Sequence, residues 1–242
     1  MKIQRIILIM STLFIINSLE AQKKWNYEFE IGGSYNSGNV NNTNLKNSGN
    51  ATRNDSLLTF TANYKLLYSK EDSVETNKGL NGEIKFDFFQ YDRFSPFFST
   101  EYITNKYKGY DFKLSSLIGS KMRIYQKKDT SDYSISLALT YDYVNYTTEE
   151  DKLKMEYYRL SLRPKIKQKL GNVVTLVHYT FYQPLLKDWN DYIIQSTTKI
   201  ENKISQKMYL DISFEYEYRS ELPNDNYKKK DMTTEISLRI KI

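Results

Sequence analysis

Cysteine is absent from this 242-residue chain, so no disulfide framework can staple the fold and no thiolate can hold a metal. Histidine occurs once, at position 178, which removes the clusters on which zinc sites depend. No apolar run reaches the roughly 20 residues that a membrane-spanning helix requires. Charge of one sign is lacking too. The 35 Lys and Arg and 29 Asp and Glu leave a scattered net charge of +6, without the basic patch of a nucleic-acid binder. The mean hydropathy of −0.64 would suit a soluble protein, yet a membrane barrel with a polar interior gives the same average.

The beginning of the chain has the form of an export signal. Lys2 and Arg5 precede an apolar run from Ile6 to Ile16, and Leu19-Glu20-Ala21 offers a cleavage site, so residues 1–21 are expected to be removed and 22–242 to form one domain. No cysteine follows the cut, which excludes a lipid anchor at that position. The 22 tyrosines and 12 phenylalanines fit either the aromatic girdles of a membrane barrel or the strands of an ordinary all-β protein.

Period-two alternation decides more. Twelve segments place apolar residues on every second position, and ten to fourteen strands fit the pattern. In the first, Lys24 to Ser37, Trp25, Tyr27, Phe29, Ile31 and Tyr35 oppose Asn26, Glu28 and Glu30. In the eleventh, Leu210, Ile212, Phe214 and Tyr216 oppose Asp211, Ser213, Glu215 and Glu217. The last sets Ile236, Leu238, Ile240 and Ile242 against Glu235, Ser237, Arg239 and Lys241. The second strand, about Asn42 to Thr52, is polar, and the ninth, Val173 to Tyr182, is apolar on both faces. Helices would repeat at three and four residues instead.

The connections alternate between tight turns and long hydrophilic stretches. Arg53-Asn54-Asp55, Tyr91-Asp92-Arg93, Leu170-Gly171-Asn172 and Ser205-Gln206 are short, whereas Lys70 to Asn77, Thr147 to Lys154, Gln183 to Asp191 and Glu221 to Lys230 are expected to be loops. Tyr107 to Tyr110 is short for a loop and Gln126 to Asp132 long for a turn. The alternation predicts an all-β, transmembrane, antiparallel up-and-down β-barrel with both termini in the periplasm of a Gram-negative cell. Closure is required, because an open edge in lipid leaves backbone groups unsatisfied. The alternating apolar terminus is similar to the signal read by the outer-membrane assembly machinery, although that signal usually ends in Phe and this chain ends in Ile242.

Trp25, Gly32-Gly33 and Ser37-Gly38-Asn39 in the first strand, with Tyr216-Glu217-Tyr218-Arg219-Ser220 before Pro223 and Lys230-Asp231 at the end, carry a family resemblance. Together they resemble the YdiY-like, salt-induced outer membrane protein family, domain of unknown function 481. Val40 stands where that family commonly has Thr. The resemblance implies an outer-membrane barrel without an established activity, and it carries no functional residues over.

By parity, Glu83, Lys85, Glu101, Lys121, Arg123, Arg159, Arg163, Asp211, Glu215, Glu217 and Arg239 fall on the polar, lumen-facing side. Paired, they would plug the barrel; unpaired around open space, they would set solute preference. Nothing around His178 forms a nucleophile elbow or an acid–base pair, so a lumen or interface histidine is expected rather than a catalytic one. Glu149-Glu150-Asp151 and Asp225-Asn226 match no calcium loop and are read as solvated, and no cofactor is expected. Lys228-Lys229-Lys230 suits contact with anionic lipopolysaccharide.

The expectation is a monomeric outer-membrane barrel acting as a narrow pore or solute-uptake barrel. The alternatives are an envelope-stress barrel with a plugged lumen and binding loops, a membrane-embedded hydrolase, and a soluble exported β-sandwich.

Overall fold

The computed structural model describes residues 25–38, 42–71, 74–105, 110–127, 130–146, 154–222 and 228–242. The expected export signal and both acidic groups lie outside them. Twelve antiparallel strands close into one barrel: β1 (Trp25–Ser37), β2 (Asn42–Asn54), β3 (Leu58–Glu71), β4 (Val74–Phe88), β5 (Phe94–Asn105), β6 (Tyr110–Lys127), β7 (Ser131–Tyr146), β8 (Lys154–Leu170), β9 (Val174–Leu185), β10 (Asp188–Lys203), β11 (Met208–Arg219) and β12 (Lys230–Lys241). Each strand pairs with its neighbours in sequence, and β12 pairs with β1 from Glu28↔Lys241 to Ser37↔Met232. Every strand thus has a partner on both sides, which is the condition for crossing lipid.

The pleat sorts side chains as the alternation requires. Along β12, Ile236 is 55% exposed and the adjoining Ser237 2%. Outward residues such as Ile31, Leu66, Ile118 and Ile166 form an exposed apolar belt that water would penalise and lipid accepts. Aromatic rings gather at its two edges. Trp25, Tyr27, Phe60 and Phe86 meet near the end carrying the termini, and Tyr182, Tyr192 and Tyr218 meet near the other. The belt and girdles mark a transmembrane barrel.

Three connections differ from the expected ones. Register continues in β3–β4 to Glu71↔Val74, so much of the predicted loop at 70–77 is strand. Strands β9 and β10 run to Leu185 and from Asp188, which reduces the loop predicted at 183–191 to two residues with a bulge between Asp188 and Tyr192. Strands β6 and β7 likewise extend to Lys127 and from Ser131. The physical reason is common to all three. Beyond the apolar belt both faces of a strand meet water, so polar residues continue the ladder without any alternation to announce it.

Two backbone positions fix the geometry locally. Phe89 adopts a left-handed φ of 50° after β4, and its carbonyl accepts from Ser95 Oγ and Asp92 N, both at 2.9 Å. Gly32 faces inward at the β1–β12 seam, where a Cβ would lie 2.1 Å from the Ile236 carbonyl oxygen. Only glycine allows this approach. Gly32→Val is therefore expected to lower sharply the fraction that migrates as a compact band on unheated gels. Gly82→Ala, whose new Cβ meets nothing nearer than 4.0 Å, leaves that fraction unchanged.

Candidate functional site: the barrel interior

The interior is polar because every second residue of each strand points into it, and its charges divide into two unlike halves. The first half is lined by six consecutive strands around the seam, β10, β11, β12, β1, β2 and β3. Arg239 is its centre. Its Nε and Nη2 donate to Asp211 at 2.6 and 3.1 Å, Nη1 donates to Glu28 at 3.1 Å, and Nη2 also lies 2.9 Å from Glu201. Lys241 joins Glu28 at 2.9 Å, and both cations lie over the Tyr209 ring. From Asp211 the chain of ion pairs passes to Lys199 at 2.8 Å, then to Glu30 at 3.2 Å and Lys46 at 2.9 Å. Lys46 also contacts Glu235, which Lys65 approaches at 3.0 Å.

Five acids and five bases thus form one connected, charge-balanced network. Asp211, Arg239, Lys46 and Glu235 are each under 10% exposed, so their desolvation has to be offset by this mutual pairing.

The other half, lined by β4 to β9, is less evenly paired. Lys85 holds Asp87 at 2.8 Å, Lys113 holds Asp142 at 3.0 Å, and Asn63 donates to Glu83 at 2.8 Å. Asn81 donates to Glu101 at 3.4 Å. Arg123 serves the backbone, donating to the carbonyls of Gln90 and Tyr91 at 2.8 Å and so clamping the β4–β5 turn. Arg159 likewise braces the β9–β10 end through Asp191 Oδ1 at 3.0 Å and the Gln183 carbonyl at 3.2 Å. Arg163 is different: it donates from Nε to Ser136 Oγ at 3.2 Å and stacks over Phe181, with no carboxylate partner among the described residues. Lys121 and Lys165 also have none there.

The eleven charges singled out by parity alternate along their strands with exposed apolar residues such as Ile84, Ile124, Tyr158, Phe214 and Leu238. They do not gather at one place. Asp211 and Arg239 belong to the seam network, Glu217 pairs with Arg219 at 2.7 Å, and Glu215 lines a cavity with it. The network's other members, Glu28, Glu30, Lys46, Lys65, Lys199, Glu201, Glu235 and Lys241, lie outside the set that parity singled out. Glu28, Glu30, Glu235 and Lys241 carried the signal of parity; Lys46 and Lys199, in strands with weak alternation, did not.

His178 occupies neither the lumen nor a catalytic setting. Its register partner Thr198 places it on the outer face, where Nδ1 lies 2.9 Å from Thr198 Oγ1 and Nε2 lies 3.4 Å from Thr180 Oγ1. Ser196 completes this hydroxyl chain at 3.1 Å from Thr180. Of the two places expected for it, lumen or interface, the outward side excludes the lumen; β9 is apolar on both faces, so parity alone could not orient it. No group of His, Asp and Glu suited to a metal occurs among the described residues. Lys229 of the basic run donates to the Ser220 carbonyl at 2.6 Å, closing the β11–β12 hairpin.

Several cavities enter this interior, a small one of about 90 Å³ between Lys113, Arg159 and Asp191 among them. The half away from the termini holds one of about 340 Å³ lined by Lys65, Glu101, Tyr179, Thr197, Glu215 and Arg219 among others. The half nearest the termini holds one of about 370 Å³, lined by Lys127, Lys167, Lys169, Lys203, Lys241, Asp132 and Glu201 among others. These two larger cavities share no lining residue.

The sequence pattern of the family described as "protein of unknown function, DUF481" matches residues 29–242. The chain belongs to the DUF481 family. Its barrel is similar to the NanC porin, with TM-score 0.60 and 10% identity over 88% of this chain and 100% of that one. It is also similar to a bacterial polysaccharide outer membrane secretin, with TM-score 0.54 and 8% identity over 89% and 98% of the two chains. The translocator domain of the autotransporter NalP from Neisseria meningitidis gives TM-score 0.54 and 10% identity over 99% and 96%. At these identities the likeness is one of fold. No curated protein matches the DUF481 chain in sequence.

Removing one carboxylate from the seam network leaves buried cations unmatched. Asp211→Asn is expected to destabilise the barrel by about 3 kcal/mol, read as a lower urea midpoint in the fluorescence of Trp25 and Trp189. A midpoint equal to wild type would show that the network adds nothing to stability.

Proposed function

We propose that this DUF481 barrel is a narrow pore of the outer membrane that admits small hydrophilic solutes. The observation that carries the reading is the pair of polar cavities at the two ends of the lumen, each of more than 300 Å³. Twelve strands enclose a lumen between the side-chain-filled interior of eight and the wide channel of sixteen. The paired seam charges fill part of that lumen, and the space left beside them is lined by strands of both halves, with Lys65, Glu201 and Lys241 of the network at its edge. Likeness to the NanC porin supports the assignment.

In this reading the termini and the 370 Å³ cavity face the periplasm, and the β11–β12 hairpin faces outward. The protein is a monomer inserted by the outer-membrane assembly machinery, with lipid and lipopolysaccharide around its belt. Membership in the YdiY-like, salt-induced group rests on the residue resemblance and belongs to the same proposal. No catalysis is assigned, since His178 meets only hydroxyls. A sealed structural barrel is the second reading, favoured by the ten-charge network itself.

Refolded protein in a planar bilayer is expected to give reproducible single-channel steps, smaller than those of wide porins, and His178→Gln to conduct like wild type. A correctly folded barrel that gives no steps would overturn the pore and favour the sealed reading.

A further inference from the structure

We infer that the constriction between the two cavities is an anion site, formed by Lys121, Arg163 and Lys165, and that the solutes admitted are small and multiply anionic. The inference rests on the pore reading and names its substrate class.

Register builds the site. Lys121 stands opposite Ser136, and Ser136 opposite Arg163, so β6, β7 and β8 present a cation, a short hydroxyl and a cation in one row. The next row sets Arg123, Ser134 and Lys165 side by side. The β7 residues between the cations are short: Ser134 and Ser136 are each buried under the long side chains beside them. Two strands of bases are thus brought together over a strand that offers no carboxylate at those rows.

Position along the lumen follows from the same register. Lys165 pairs with Tyr179, which lines the outer cavity, and Arg163 stacks on Phe181, which lines it too. Two residues below Lys165, Lys167 lines the cavity nearest the termini. By register the trio therefore stands at a level between the two cavities.

The acids nearest to it have other partners: Lys85 holds Asp87 at 2.8 Å, Asn63 donates to Glu83 at 2.8 Å, and Asp132 lies 3.5 Å from Arg123. Across the lumen the seam network is charge-balanced, so it does not cancel the trio. Charge also changes sign along the path. Four carboxylates against three bases line the outer cavity, and five lysines against two carboxylates line the inner one. An anion that passes the outer cavity meets an increasingly favourable potential toward the periplasm, in a narrow low-dielectric lumen where such fields are focused. Rings of Lys and Arg are the usual means of selecting anions in pores. Arg163 keeps its two terminal nitrogens for a bidentate carboxylate or phosphate, which lysine alone cannot match.

The test uses the full mature barrel and the triple variant Lys121→Gln/Arg163→Gln/Lys165→Gln. Reversal potentials in a tenfold potassium chloride gradient are expected to show chloride preference in wild type, lost or inverted in the variant. Inorganic tripolyphosphate added on the outer side should block wild-type current at concentrations at least tenfold below those needed for the variant. Binding of tripolyphosphate to the barrel in detergent, followed by calorimetry, reads the site without conduction. Binding to wild type but not to the variant, with no current in either, would retain the anion site and remove the pore. Current without chloride preference or tripolyphosphate block would retain the pore and overturn the anion site. Arg163→Lys/Lys165→Arg, which keeps the charge, should preserve both readouts; loss of both in this variant would also contradict the assignment.

Discussion

Everything in this barrel depends on the pairing of β1 with β12. A sheet in lipid has no water to satisfy an open edge, so the last strand has to find the first although some two hundred residues separate them. Such a contact is costly in chain entropy and is made late, after the local hairpins. The seam has features that favour this contact. Gly32 lets the two backbones approach where any side chain would collide, and ten charges from six strands interlock behind it. Lys46 of β2 reaches Glu235 of β12, and Lys199 of β10 reaches Glu30 of β1, so the network bridges the closing joint from both directions.

The network also shapes the remaining space. Balanced charges with long side chains fill the lumen at the centre of the seam, and within the network itself no net charge remains. The opposite half has used several of its charges on the backbone. Arg123 holds the β4–β5 turn and Arg159 the β9–β10 end, so charges of one row differ in role according to what their neighbours offer. Arg163 is four residues from Arg159 on the same face of β8, yet it meets a serine and a phenylalanine ring instead of an aspartate. That local poverty of acids, not the presence of arginine, is what makes a stretch of wall anion-attracting.

Much of the architecture is legible from alternation alone. Strands such as β11 and β12 declare both faces, since lipid demands apolar residues on one side and the lumen tolerates charge on the other. From this follow the strand number, the closed antiparallel form and the inward side of charges such as Asp211 and Arg239. What alternation cannot supply is the partner of each charge. Lys46 lies in a polar strand with no apolar face to orient it, and its partner Glu235 is 189 positions away, brought near only by closure. Loops are overestimated for a related reason. Residues 183–191, 70–71 and 74–77 stand beyond the belt, where polar strands pair as well as apolar ones. His178 is hidden by the opposite condition: with both faces of β9 apolar, only its register with Thr198 shows that it points outward.

The central claim is that paired charges fill the centre of the seam network while Arg163 and Lys165 face space that ions reach. The absence of cysteine makes the direct measurement clean: Tyr179→Cys beside Lys165 and Ser237→Cys within the seam network, each reacted in the folded barrel with small thiol reagents carrying either a sulfonate or a trimethylammonium group. The account predicts that the cysteine at 179 reacts several-fold faster with the anionic reagent, and that the cysteine at 237 reacts with neither until the barrel is unfolded. Equal rates with both reagents at 179, or no reaction there at all, would contradict it.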